Sequence, residues 1–437
     1  MIRKIEKILL LSVFLIISVS VSAQEGTYGA YSPYSIFGIG DISKEGTAFN
    51  KSMGGTGIAT RNRRYINYLN PAAVTARDSL SFMADFGLVQ NNKMFAQGDI
   101  KSGNNTFNIY DFVMTFPIWR SSAFMVGITP YSDIGYDFSS VETNPDIIGN
   151  TGNIAYDSFG DGSVYQAFVG AGATFWKRLS VGAEMIYYFG SLDKITNMNY
   201  SDESYRSIYS GNEISLSGVT GKFGLQYEQK IAGNVSMILG ATYKMGTDMK
   251  GYSTDYRYAS HSSVTDTLKY NVDTLARSGL RFADEIGLGL SLKGGENWAA
   301  EFNYLRSDWR NTGLDKKPGF AIIGDSRFST TVSESYRAGF EFVPNRNDVR
   351  YYFKRCTYRA GVYYDKSYYK LDGHSVNSMG VTLGITLPVY KYYNGISLGV
   401  DIGQKASTRN NMIRERYAMF VIGFNIHDIW FQKSQYH

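Results

Sequence analysis

The chain has 437 residues, of which 15% are aromatic, 46 are Gly, 8 are Pro and one is Cys, and its mean hydropathy is −0.23. That hydropathy excludes a bundle of membrane helices but allows a membrane β-barrel, in which only every second strand residue meets lipid. The formal charge of +5, to which Arg3, Lys4 and Lys7 against Glu6 contribute +2, is too small to point to nucleic acid, and the lone Cys356 excludes an internal disulfide or a CxxC zinc site.

The N-terminus has the layout of an export signal. Met1 to Lys7 is basic, Ile8 to Ile17 is apolar apart from Ser12, and Val21-Ser22-Ala23 offers small residues for signal peptidase. Residues 1–23 are therefore expected to be removed before Gln24. The apolar run is short for a membrane anchor, which needs about 20 residues. No later segment approaches such a run, and no Cys follows the apolar stretch to carry a lipid. A mature chain in a membrane must then cross it as a closed barrel.

Residues 24–78 show no strand period. They read as loop chemistry: Ser32-Pro33-Tyr34-Ser35, Phe37-Gly38-Ile39-Gly40-Asp41, then Met53-Gly54-Gly55-Thr56-Gly57-Ile58-Ala59. Arg61, Arg63 and Arg64 follow, and then Asn67-Tyr68-Leu69-Asn70-Pro71-Ala72-Ala73. The glycines permit tight turns and close backbone approach. They do not form a phosphate loop, because no GK[ST] follows them and no strand precedes them.

From Ser79 onward one unit repeats: about ten residues of period two, then a break. Ile286, Leu288, Leu290 and Leu292 interleave with Glu285, Gly287, Gly289 and Ser291, and Val381, Leu383, Ile385 and Leu387 with Thr382, Gly384 and Thr386. About fourteen such segments centre near residues 84, 112, 125, 170, 184, 223, 239, 287, 302, 338, 360, 383, 398 and 421. Tight links fall near 119–120, 176–177, 232–233, 294–295, 345–348 and 390–393. Long polar links fall at 90–105, 132–163, 191–215, 246–281, 309–332, 366–376 and 404–414. Short periplasmic turns alternating with long external links are the habit of outer-membrane barrels, and a soluble sandwich has no reason to alternate so.

Trp119, Trp176 and Trp298 sit beside predicted turns and Trp430 follows the last strand, an aromatic girdle at one rim, whereas Trp309 begins an external link. Glu184, Lys222, Glu285, Glu301, Arg337, Glu341, Arg359 and Asp401 are expected to face the lumen, since a charge facing lipid at the midplane costs about 2–4 kcal/mol. The plain reading of these residues is mutual pairing, and the sharper one is the lining of a permeation path. The four histidines are scattered and show no ligand spacing, so neither a metal nor a cofactor is expected. No Gly-x-Ser-x-Gly elbow or paired nucleophile and base is visible, so an enzyme is not expected.

Met53-Gly54-Gly55-Thr56-Gly57-Ile58-Ala59, followed by Asn70-Pro71-Ala72 and a strand, resembles the start of the FadL-type outer-membrane transporters. The Ser32-Pro33-Tyr34 opening and the closing Asp428-Ile429-Trp430-Phe431-Gln432-Lys433 resemble that family's Bacteroidota branch. The resemblance implies a fourteen-stranded, all-β transmembrane antiparallel barrel over residues 79–437. It also implies an N-terminal hatch over residues 24–78, with Gly54, Gly55, Gly57, Asn70, Pro71 and Ala72 as its motif. Its implied partners are outer-membrane lipids and a hydrophobic small-molecule ligand such as a long-chain fatty acid, carried across the Gram-negative outer membrane. Similar barrels in the Bacteroidota branch serve in type IX secretion or beside the barrel-assembly machinery. A second expectation is therefore a barrel subunit with other outer-membrane or periplasmic proteins as partners. Transport predicts an apolar cavity near the outer links. The subunit reading predicts large ordered loops or a rim buried against partners.

Overall fold

The period-two segments become fourteen antiparallel strands in the computed structural model. It describes residues 30–429 except 79, 120, 203, 262–263, 276–278, 317–321, 324–325 and 391–393. The expected signal peptide and Trp430 lie outside the described residues. The strands are β1 Ser81–Gln97, β2 Ile100–Trp119, β3 Ser122–Val141, β4 Ile154–Phe175, β5 Leu179–Tyr200, β6 Ser207–Ala232 and β7 Val235–Lys244. They continue as β8 Glu285–Gly294, β9 Trp298–Asp308, β10 Val332–Phe342, β11 Thr357–Leu371, β12 His374–Tyr390, β13 Asn394–Lys405 and β14 Arg414–Ile429. Each pairs with its neighbour in sequence, and β14 returns to β1 from Ser81↔Ile429 to Ala96↔Arg414, which closes the barrel. Each segment centre read from the sequence falls within one of these strands.

The two faces of this wall invert the rule for soluble proteins. Leu288, Leu290, Phe302, Phe340, Val362, Val381 and Leu383 are exposed, while Glu301, Asn303, Glu341, Arg359 and Thr382 on the alternate face are buried. Burying a Leu or Phe is worth about 1.5–3 kcal/mol in water, so a whole apolar outer face is stable only against an apolar medium. The wall therefore spans a membrane. At the short-turn rim Trp119, Trp176, Tyr351, Tyr352 and Phe353 are exposed, as suits rings at a membrane–water interface. Trp309 instead lies at the far end, buried against Tyr368 at 4.9 Å between ring centroids.

Two expectations about the links change. Most of the long links are strand rather than loop. β1 and β2 pair as far as Gln97↔Ile100, and β11 and β12 meet across Asp372-Gly373. Asp133 and Asp137 lie on β3, and Asp157 and Asp161 on β4. The stretch 246–281 contains an outer hairpin, Lys250–His261 with Val264–Thr274, whose first limb extends the pairing of β6. Beyond the lipid both faces meet water, so the alternation that marks a strand fades although the backbone still pairs. The link expected to be tight at 345–348 instead runs from Val343 to Cys356 and holds a short helix, Tyr352–Arg355. Its Asn and Asp turn residues make only its first bend: the Asn345 and Asp348 side chains accept backbone N–H groups of Asn347 and Arg350.

Leu290 faces outward near the middle of β8. Leu290→Arg is expected to destabilise the barrel by about 2–4 kcal/mol in lipid vesicles, measured by urea unfolding. The same change at an exposed outer-hairpin position, Thr265→Arg, is expected to leave stability unchanged.

Candidate functional site

The barrel interior is filled by the segment before β1, in two layers. The deeper layer, Ala48 to Ala73, follows the inner wall in strand order. Ala48 lies on β14, where a Cβ added to Gly423 would sit 2.4 Å from its own Cβ. Ser52 lies on β12 and β13, Gly54 on β11, and Gly55 beside Arg337 of β10. Ile58 and Ala59 cross β7 to β9, and Asn70 and Pro71 lie on β4 to β6. A chain touching so many staves of a closed barrel is inside it.

Inward-facing glycines make that path possible. A Cβ on Gly361 would fall 2.2 Å from the Gly54 amide nitrogen, and one on Gly182 would fall 2.4 Å from the Pro71 carbonyl carbon. Only glycine lets backbone lie so close to a strand. Gly54 and Gly55 themselves have φ of +71° and +77°, the left-handed turn of the Met-Gly-Gly sequence.

Polar side chains of the wall satisfy the layer's backbone. Gly54 N–H donates to Thr382 Oγ1 at 2.8 Å, and Arg337 donates to the Gly55 carbonyl at 3.2 Å. Asn303 Oδ1 accepts from Gly57 N–H at 2.9 Å and Ile58 N–H at 3.2 Å. Glu301 accepts from Ala59 N–H at 2.8 Å and from the Thr60 hydroxyl. Asn70 Oδ1 caps the short helix Pro71–Thr75, accepting from Ala72 N–H at 3.0 Å, while its amide donates to the Ile58 carbonyl at 2.8 Å. Gly54, Gly55 and Gly57 thus lie at β9 to β12 and Asn70 and Pro71 at β4 to β6, the two motifs joined through the Asn70–Ile58 hydrogen bond.

The second layer, Ser32 to Glu45, lies toward the long links and ties opposite walls together with charge. Asp41 pairs with Lys405 of β13. Lys44 pairs with Asp401 at 3.0 Å and stands 3.3 Å above the Tyr363 ring. Glu45 pairs with Lys222 of β6 at 3.4 Å and Lys244 of β7 at 3.6 Å, and Lys244 reaches Glu285 at 3.5 Å. Burial pushes the Glu45 carboxyl up, but the two ammonium groups and a hydrogen bond from Gln166 outweigh it and hold it well below the usual carboxylate range. Lys194 of β5 donates to the Ile36 and Gly38 carbonyls at 2.7 and 3.0 Å.

The eight charges read from the sequence all lie on the inner face. Glu184 stands in register opposite Lys222. Glu341 pairs with Arg359 at 2.9 Å, and the guanidinium lies 4.7 Å from the Phe49 ring and 4.6 Å from that of Tyr65. Asp41, Lys44, Glu45, Gln226, Asn303 and Thr382 were not singled out by sequence. A polar residue at an inward strand position two from a glycine was the available signal for Gln226 and Thr382, whereas Asn303 meets its glycine, Gly289, only across the strand pair.

Toward the long links the two layers leave a cavity of about 360 Å³. It is lined by Lys51, Lys93, Lys244, Glu285, Asp365 and Asp401 over the rings of Tyr110, Tyr131 and Tyr417. A second cavity, of about 230 Å³ near the short turns, is lined by Arg61, Arg64, Glu228, Lys293, Glu296 and Arg346. Where a carrier of hydrophobic molecules is expected to have an apolar cavity near the outer links, the first of these sets charges of both signs beside apolar side chains such as Leu69, Val89, Trp309 and Val421. A further apolar recess is an open groove on the outer wall formed by Phe124, Val169, Met185, Val219, Phe223 and Met245.

The sequence model of the BamG family matches residues 1–437, and no curated protein matches the chain. Among solved structures the chain is similar to the Pseudomonas putida toluene transporter TodX. The TM-score is 0.58 at 15% identity, covering 90% of this chain and 100% of that one. It is also similar to the Ralstonia pickettii toluene transporter TbuX, with TM-score 0.56, 14% identity, and 87% and 98% of the two chains covered. A Pseudomonas aeruginosa FadL homologue gives TM-score 0.56 at 10% identity, covering 89% and 99%. At these identities the likeness is one of fold.

Removing one member of a buried charge cluster leaves the others unpaired, at about 3–5 kcal/mol. Glu45→Gln is therefore expected to loosen the inner segment by that order, seen as faster protease cleavage before residue 48 in vesicle-inserted barrel. With its folded-state pKa depressed, the ionised Glu45 stabilises fully above the unfolded value of about 4.3, and this is lost only in stronger acid. Wild-type protection should accordingly be equal at pH 7 and pH 5. Gly361→Val should force Gly54 off the wall and cost about 1–3 kcal/mol by overpacking, while Gly149→Ala, at an open site in an outer link, should not expose the segment.

Proposed function

The chain belongs to the BamG family, and from that premise we propose that it is an outer-membrane barrel whose N-terminal segment is a fixed hatch and whose role is that of a subunit in an outer-membrane protein secretion or barrel-assembly complex. The observation that carries this reading is the set of lumenal, partly buried ion pairs joining residues 41–45 to β6, β7 and β13. Opening a path through the lumen means separating them. A neutral hydrophobic ligand offers no counter-charge to these groups, so its apolar burial alone would have to offset their separation. The strands that continue beyond the lipid provide the ordered external surface that a subunit needs.

A second reading, FadL-like transport of hydrophobic molecules such as long-chain fatty acids, is favoured by the fold likeness and by the apolar groove on the outer wall. In that reading the ligand would move along the wall rather than through the ion pairs.

Gentle detergent extraction of the tagged full chain, followed by mass spectrometry of proteins and bound lipids, separates the two. We expect stoichiometric partner proteins, no retained fatty acid, and a mature chain that begins at Gln24. A barrel that emerges alone with an apolar ligand would overturn the subunit reading in favour of transport.

A further inference from the structure

Above the membrane band, β4, β5, β6 and the outer hairpin continue as one sheet. Its last strand is Val264–Thr274, paired along its length with Lys250–His261 from Tyr252↔Thr274 to His261↔Val264. Among the described residues no other strand pairs with it. Each residue from Val264 to Asp273 is exposed, with Tyr270 at 63% and Leu268 at 56%.

An antiparallel strand spends alternate backbone groups on one neighbour and points the others away. This edge therefore presents a row of unpaired N–H and C=O groups. Natural sheets blunt such edges with lysine, proline, bulges or a covering element. Here there is no proline, and the one lysine, Lys269, is drawn back to Asp255 of the neighbouring limb. A single bulge at Leu268 leaves Lys269 to Thr274 in unbroken register.

We propose that the free edge of Val264–Thr274 is a docking rail for an extended segment of another polypeptide, which adds to the sheet as an antiparallel strand. Regularly alternating donors and acceptors are matched by another backbone and not by lipid or sugar hydroxyls. Copies of this barrel share one orientation in the membrane. The same edge of a second copy can therefore run only parallel to this one, and a twofold along the strands does not give both copies equivalent bonding positions. The occupant is thus a different chain. Tyr270 and Val272 share the outward face with their cross-strand partners Tyr256 and Thr254, so the added strand carries apolar residues on that side. On the inward face Asp273 has no ion-pair partner among the described residues, only a hydrogen bond from Asn271 at 2.9 Å, which suits a Lys or Arg opposite it. The proposal rests on the subunit reading for its occupant.

Two measurements on the full chain test it. Hydrogen exchange compares the native extracted complex with barrel freed of its partners. We expect alternate amides of 264–274 to slow on the order of tenfold or more in the complex only, and equal fast exchange in both would overturn the docking proposal. A photo-crosslinking residue placed at Thr265 or at Asn271 in cells then reports the occupant. We expect both to capture one segment of another protein in reversed order, position 265 reaching the higher-numbered residue. Adducts to lipopolysaccharide, to a second copy, or in parallel order, or no adduct at all, would each overturn it. If the barrel extracts alone, the subunit reading fails. If it extracts with partners while the edge amides stay fast, only the docking rail fails.

Discussion

A strand in lipid has nothing to hydrogen-bond except another strand, and the rest of this structure depends on that constraint. It requires β14 to return to β1, which Ser81↔Ile429 to Ala96↔Arg414 accomplish. Closure then divides the side chains into one set facing lipid and one facing a narrow interior. The interior must be filled with matter that can use the polar groups placed there. The chain uses its own N-terminal segment.

Filling a barrel with irregular backbone raises the same hydrogen-bonding problem again, one layer in. The buried amides of Gly54, Gly57, Ile58 and Ala59 find Thr382, Asn303 and Glu301 on the wall. Close approach needs missing side chains, and the inward glycines provide them, so the stave residues alternate between room and hydrogen bond. A wall carrying only glycine would leave the segment's amides unpaired, and one carrying only polar side chains would hold it too far away.

Charge has two uses in the interior. At β9 to β11, Glu301 and Arg337 serve the backbone of the deeper layer, and Glu341 and Arg359 serve one another. At β6, β7 and β13 the inward charges reach across to Asp41, Lys44 and Glu45 and hold two sides of the barrel through the segment between them. The likeness to toluene transporters and a FadL homologue runs over most of the chain and is one of fold. Fold alone does not carry function.

Sequence by itself determined the wall. Period two is imposed residue by residue by lipid on one side, so the place of each strand, the closed all-β fold and the facing of Glu184 to Asp401 were legible in local pattern. The Met-Gly-Gly and Asn-Pro-Ala motifs also marked a segment that obeys another logic. Where water replaces lipid the period fades, so the upper strands and the outer hairpin read as loops. Only the tertiary structure decided the route of the inner segment. Lys44 meets Asp401, and Gly57 meets Asn303, across hundreds of residues. Such a contact depends on which staves face each other once the barrel is closed, and closure is a property of the whole chain that no local window of sequence contains.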